Sequence, residues 1–375
     1  MFWVLCIGMV YLPEWLRQTG LDTAQIGLVL ASATWLKIPV TLLAGNMADR
    51  LGRRKKVLLV IALLLAVLVP LLLVVRGYLW LCLLWACVGA LSSTMVPITD
   101  SISVTAVRRD GLIYGRMRMW GSLGFLVASV FGGMVIRWSG TDSVVWLLFF
   151  GALALLFFVL NAPDYETRRP LQKDLVLLPV LQLPGFVIFL MTAAVLMASH
   201  AALYSISTVR WVDAGLELPV IGLLWATGVV AEIFMFFISA RLIARWSPWQ
   251  LLLIAGVVGC LRWSLTALIL DVVLLFFIQS MHAITFTFTQ LAVVSFIERK
   301  VPEEMTSSAQ TIYDSCALGM VFGAALYVSG LLSQVDMALS FWAMAVMSGS
   351  GGVMALCMVG RRYSEHKTGT DPTQA

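Results

Sequence analysis

Eight ionisable side chains fall inside long apolar runs of this 375-residue sequence: Lys37, Asp100, Arg118, His200, Glu232, Arg262, His282 and Asp314. Charge at membrane depth is expensive, so such groups face a cavity or a partner. A guanidinium presents a fixed planar fork that fits a carboxylate or paired hydroxyls, which an ammonium does not match. A carboxyl in an apolar cavity has its pKa raised, and His titrates near neutrality already. Glu232, His282 or Asp314 could therefore load and release a proton. Mutual neutralisation inside a helical bundle is the plainer alternative for the same set. No metal-ligand cluster, nucleophile–base spacing or nucleotide-binding loop accompanies them, so no enzyme, metal or cofactor is expected. The six cysteines are scattered singly, with no C-x-x-C pair, and read as small apolar packing residues.

The elements that must position these groups follow from composition. The chain is 61% apolar and only 12% charged, about half the charge of a water-soluble protein. Apolar runs near or above ~20 residues recur, the length that crosses a ~30 Å hydrocarbon slab as helix. An all-α polytopic membrane protein follows, embedded in the lipid bilayer. The net charge of +5 reflects cytoplasmic anchors and not nucleic acid. Spans are expected at 24–44, 57–75, 79–104, from 115 onward and at 144–161, then at 184–211, 219–239, 249–269, 272–297, 306–333 and 337–359. Residues 1–16 form a run too short to span comfortably, with Pro13 and Glu14 near its end, so the first helix reads as truncated. Residues 163–175 are polar and Pro-punctuated. They divide the chain into two pseudo-symmetric six-helix bundles, 1–162 and 184–360, joined by a cytoplasmic linker at 163–183 and followed by a cytoplasmic tail at 361–375. Lys and Arg crowd into alternate loops, whereas the opposite side keeps only Arg17, Arg76, Arg137 and Arg210. That asymmetry places both termini in the cytoplasm.

The stretch at 45–56, G-N-M-A-D-R-L-G-R-R-K-K, carries five basic residues within seven positions. Its pattern G-x-x-x-D-R-x-G-R-R resembles the loop after the second helix of major facilitator superfamily transporters. The resemblance implies a twelve-helix major facilitator fold and a gating role for Gly45, Asp49, Arg50, Gly52 and Arg53. A second stretch, Y-G-R-M-R-M-W-G-S at 114–122, is similar to the start of the fifth helix in the lactose permease and its proton-symporting relatives. There an acid on the fourth helix, 18 residues before the Arg, pairs with it to hold substrate; Asp100 and Arg118 have that separation. By the same resemblance Phe125 would stack on substrate, and Arg262, His282 and Glu232 would complete the site from the second half. One departure stands out: Thr285 occupies the position of the carboxylate tied to proton release, so the proton would move to Glu232, His282 or Asp314. Lys37 and Asp314 fall at similar depth on helices that pack together in this superfamily, which implies a gating salt bridge.

The overall resemblance is to the phenylpropionate permease family. It rests on V-P-I-T-D-S (96–101), Y-G-R-M-R-M-W-G-S, S-H-A-A-L-Y (199–204), G-L-L-W-A-T-G-V-V-A-E (222–232) and M-H-A-I-T-F-T (281–287). It implies proton-coupled symport of a small organic solute such as an aromatic carboxylic acid, by alternating access, in the cell inner membrane. A monomer is the expected state, with protons and a small molecule as its partners. A sugar or nucleoside symporter, a proton-driven exporter of drugs or sugars, and a transport-dead scaffold or receptor are the alternatives.

Overall fold

The computed structural model describes residues 1–111, 114–164 and 177–368; among these, the side chains of residues 49, 104, 108, 114–116, 118, 240 and 361–368 lie outside the described set. Every regular element among the described residues is helical. Among the described residues, ten helical spans are long and apolar enough to cross a membrane: Thr23–Ala48, Tyr78–Val107, Met119–Ser139, Ser143–Asn161, Phe186–Asp213, Leu218–Phe237, Pro248–Leu268, Val272–Lys300, Glu303–Ser333 and Met337–Gly360. The helix Arg54–Leu71 is apolar after a first turn holding Arg54, Lys55 and Lys56. At the start of the chain the short helices Phe2–Val10 and Leu12–Gln18 meet at Tyr11, with Pro13 in the first turn of the second, where its missing N–H costs nothing. Glu14 is buried there and accepts from Arg17 Nε at 2.8 Å and Gln18 Nε2 at 3.0 Å.

Three of the expected spans carry irregularities within them. The helix from Phe186 stops at Ala198 and resumes at Ala201. The helix from Val272 stops at Ser280 and resumes at His282. The helix Thr306–Ser315 passes into a π-helical turn at Cys316–Val321, directly after Asp314. These irregularities coincide with His200, His282 and Asp314. π-turns and broken helices leave backbone groups to be satisfied by side chains or cavities, and they concentrate at functional positions. Each of the three is still one span by length and composition, because apolar run length does not register a single-residue break.

The chain forms two compact units. One comprises Met1–Asp174, Leu203–Ala226 and Leu326–Met337; the other comprises Leu175–Ala202, Thr227–Ala325 and Ala338–Ala375. In the first unit the opening helices pack on Tyr114–Ser139 and Ser143–Asn161, and the helices Thr23–Leu51 and Tyr78–Asp110 lie along each other. Its seam is built from small residues. Tyr11 donates to the Ser129 carbonyl, and a Cβ on Gly222 would collide with that same oxygen. Thr208 donates to the Val10 carbonyl at 2.6 Å, and Thr23 to the Gly330 carbonyl at 3.0 Å. In the second unit the helices Pro248–Leu268 and Met337–Thr368 approach at Gly256, where a Cβ would lie 2.5 Å from Gly352 Cα. An aromatic core of Phe189, Trp249 and Phe296 fills the space behind them, with Phe189 and Phe296 stacked at 3.9 Å.

Candidate functional site

Within the second unit, four helices bring a polar cluster together in an apolar interior. Arg262, in the middle of Pro248–Leu268, is fully buried. Its Nη1 donates to Thr285 Oγ1 at 2.9 Å and to His282 Nδ1 at 3.2 Å, and its Nη2 donates to Gln279 Oε1 at 2.9 Å. Its guanidinium also sits 4.2 Å over the Trp263 ring. Gln279, His282 and Thr285 flank the break at Met281. Their spacing of three residues puts all three side chains on one face, toward one arginine.

The donors and acceptors fix the tautomers. Arginine only donates, so His282 Nδ1 accepts and the ring proton of the neutral imidazole rests on Nε2. That nitrogen faces Glu232 Oε2 at 3.7 Å, and Glu232 keeps about a quarter of its side chain exposed. A positive and a negative group are thus joined through a neutral imidazole. His200 behaves differently. Its Nδ1 lies 3.1 Å from the Leu196 carbonyl and 3.2 Å from that of Met197, so Nδ1 carries the proton. Its Nε2 then accepts from Thr285 Oγ1 at 3.1 Å. Thr285 accepts from Arg262 and donates its hydroxyl hydrogen bond to His200, with the His282 carbonyl at 3.4 Å as a second acceptor for that hydrogen.

The rings lock this arrangement. His282 stacks on Phe286 at 5.2 Å and 15°. His200 meets Trp263 edge-on at 5.1 Å and His282 at 5.6 Å. Trp263 Nε1 donates to Ser199 Oγ at 3.3 Å, and Ser348 Oγ donates to the same oxygen at 2.8 Å. Gly228 lets the Glu232 helix approach: its Cβ would lie 3.4 Å from His282 Cβ. Gln279 Nε2 is buried with no hydrogen-bond partner among the described residues. An unfilled donor beside a buried guanidinium is costly unless something arrives to accept from it.

Arg262, His282 and Glu232, predicted together, are brought together here. Asp314 belongs to the same unit, is half-buried, and accepts from Gln310 Nε2 at 3.3 Å. Asp100, Phe125 and Lys37 are half-buried positions of the first unit, on Tyr78–Asp110, Tyr114–Ser139 and Thr23–Leu51. The backbone of Arg118 continues the helix Tyr114–Ser139, but its side chain and that of Asp49 lie outside the described residues. Gly52 has φ +63°, the left-handed conformation that favours glycine, in the turn before Arg54–Leu71. Gly45 lies in the body of its helix, and a Cβ there would meet nothing within 4 Å. Arg50 is exposed and Arg53 half-buried.

Gln279, Ser199 and Ser348 escaped the sequence reading, because an uncharged polar residue in an apolar run carries no cost signal of its own. Thr285 counted only as a missing carboxylate; here its hydroxyl is the centre of the network. The stretch S-H-A-A-L-Y held the available signal for His200 and Ser199.

A helical membrane protein with buried charge at broken helices belongs to the transporters, and the comparisons with known proteins agree. Residues 1–344 match the MFS_1 like family, so the chain belongs to that family and is a multi-pass membrane transporter of major facilitator type, not an enzyme. It is 28% identical to the "Probable 3-phenylpropionic acid transporter" of Escherichia coli (strain K12), over 90% of this chain and 91% of that one. It is 25% identical to the maltose permease of Geobacillus stearothermophilus, over 94% and 89% of the two chains. In fold it is similar to a mutant form of the nucleoside transporter NupG, with TM-score 0.84 at 18% identity over 95% of this chain and 97% of that one.

Proposed function

We propose that the protein is a proton-coupled symporter of small organic acids, with aromatic carboxylates of the 3-phenylpropionate type as the first candidates. The carrying observation is the chain Arg262–His282–Glu232, with neutral acceptors holding a buried guanidinium and an acid 3.7 Å beyond the imidazole. This geometry supports an obligatory exchange. A second proton on His282 would sit on Nδ1, the nitrogen that accepts from Arg262. Two donors cannot face each other, so protonation breaks the His282 contact and loosens the guanidinium's hold on the site. The loosened fork then binds the substrate carboxylate, with the unfilled Gln279 amide as a further donor. Glu232 stabilises the imidazolium, or takes the proton itself. Release of substrate restores the empty-site contacts and expels the proton.

In this reading Asp100, Arg118 and Phe125 supply substrate contacts from the first half. Lys37, Asp314 and the loop residues Gly45, Asp49, Arg50, Gly52 and Arg53 govern gating. Two six-helix bundles, 1–162 and 184–360, alternate access in the bacterial inner membrane, joined by the linker at 163–183, with both termini and the tail at 361–375 in the cytoplasm. The basic loops support that orientation. The protein acts as a monomer.

The test is uptake of labelled 3-phenylpropionate into proteoliposomes under an imposed inward proton gradient. Accumulation that collapses with the gradient is expected. Accumulation indifferent to the gradient, or driven outward by it, removes proton symport. The similarity to the maltose permease favours a second reading, a neutral sugar gripped by the same fork. Competition by maltose, without competition by phenylpropionate, would select it.

A further inference from the structure

The helices Thr23–Leu51 and Arg54–Leu71 leave between them a groove of about 390 Å³ that the transport reading does not use. Its walls are apolar, with Val40, Met47 and Leu51 on the first helix and Val60 and Leu64 on the second. These are not core residues: Met47, Leu51 and Val60 are each more than half exposed. The groove's charged lining residue is Lys56, which is exposed and stands one turn before Val60. The neighbouring Lys55 is committed elsewhere, donating to the carbonyls of Leu160 at 2.8 Å and Ala162 at 2.6 Å at the end of Ser143–Asn161. Arg54 reaches Thr105 Oγ1 at 3.4 Å. Lys56 is thus the basic side chain of the 50–56 run that opens onto the groove.

Length and charge together identify an occupant. From Val40 to Leu51 a helix rises about 16 Å at 1.5 Å per residue. One leaflet of a ~30 Å hydrocarbon slab is about 15 Å deep. A trough as long as one leaflet, walled by aliphatic side chains and headed by an exposed ammonium, has the shape and polarity of a single lipid. We propose that this groove binds one acyl chain of an anionic phospholipid, with Lys56 holding the headgroup phosphate at its mouth. The leaflet is the cytoplasmic one, which rests on the orientation proposed above. Binding there would brace the two helices that flank the loop at 45–56.

The test uses the full-length protein in phosphatidylethanolamine nanodiscs carrying a trace of lipid with a photoactivatable acyl chain. The headgroup is phosphatidylglycerol in one arm and phosphatidylcholine in the other, and cross-links are mapped by mass spectrometry. The phosphatidylglycerol probe should label residues 40–64 about threefold or more over the phosphatidylcholine probe, as expected of attraction between basic residues and anionic lipid. K56Q should bring the two arms level, and V60W, which fills the groove, should lower labelling in both. Equal labelling by the two probes in the unmodified protein overturns the proposal, as does phosphatidylglycerol labelling unchanged in K56Q. Labelling by a photoactivatable fatty acid that excess phosphatidylglycerol does not displace overturns the phospholipid assignment. No substrate or proton gradient enters the measurement, so its failure leaves the symport reading standing, and the reverse.

Discussion

The seam of the first unit and the polar cluster of the second hold helices together by opposite means. At the seam the contacts are made by backbone. Hydroxyls of Tyr11, Thr208 and Thr23 donate to carbonyls, and glycines such as Gly222 leave the space for them. Ion pairs among the described residues include those of Arg17 with the buried Glu14 at 2.7 Å and with Asp213 at 3.1 Å, and the exposed pair of Arg137 with Glu217 at the seam's rim. In the cluster the contacts are made by side chains around a buried charge, and each imidazole has its tautomer dictated by a neighbour. A seam of shape is indifferent to proton concentration. A cluster of tautomers is not, because one added proton reverses a donor and an acceptor. The part that fits by shape can close a structure, while the part that fits by protonation state can sense what is bound.

The largest expected effect tests the cluster. Arg262→Lys keeps the charge and loses the fork, and removing part of a buried charged network costs roughly 3 kcal/mol. Uptake should fall by about 100-fold at ~1.4 kcal/mol per decade, with helical content by circular dichroism unchanged. Normal uptake would show that charge alone suffices there. Next comes the seam. Gly222→Val places methyl groups against the Ser129 carbonyl, and overpacking of this kind costs about 1–3 kcal/mol. The melting temperature in detergent should drop; an unchanged value would mean the seam is looser than its geometry. A comparable loss is expected for Thr285→Val, which removes the hydroxyl between Arg262 and His200 and leaves both short of a partner, about 1–3 kcal/mol. Its distinguishing readout is the pH profile of uptake, which should shift, whereas Gly222→Val should leave that profile in place. The smallest effect is at the rim. Glu217→Gln breaks an ion pair exposed over half its surface, worth about 0–1 kcal/mol and screened by salt. A large or salt-independent loss would move Arg137 and Glu217 from the rim into the mechanism.

Much of this arrangement was legible in the chain. Arg262, His282 and Glu232 announced themselves because charge in an apolar run is costly and rarely left without purpose. The helical fold followed from run length for the same reason. The interruptions at His200 and His282 were not legible, since a single-residue break leaves an apolar run unchanged in length, and the contacts beside them are made by a ring with the Leu196 and Met197 carbonyls in one case and with Arg262 in the other. Nor was Thr285, whose value lies in what stands on either side of its hydroxyl.

Sequence alone determined that the chain spans a membrane as helices and which side chains carry charge into it, because transfer energies are properties of single residues. Tertiary structure decided which nitrogen of each histidine holds its proton, and that Thr285 joins Arg262 to His200. Those are properties of pairs set by distances of about 3 Å, and residues 17 to 85 positions apart in the chain meet there only after the helices have packed.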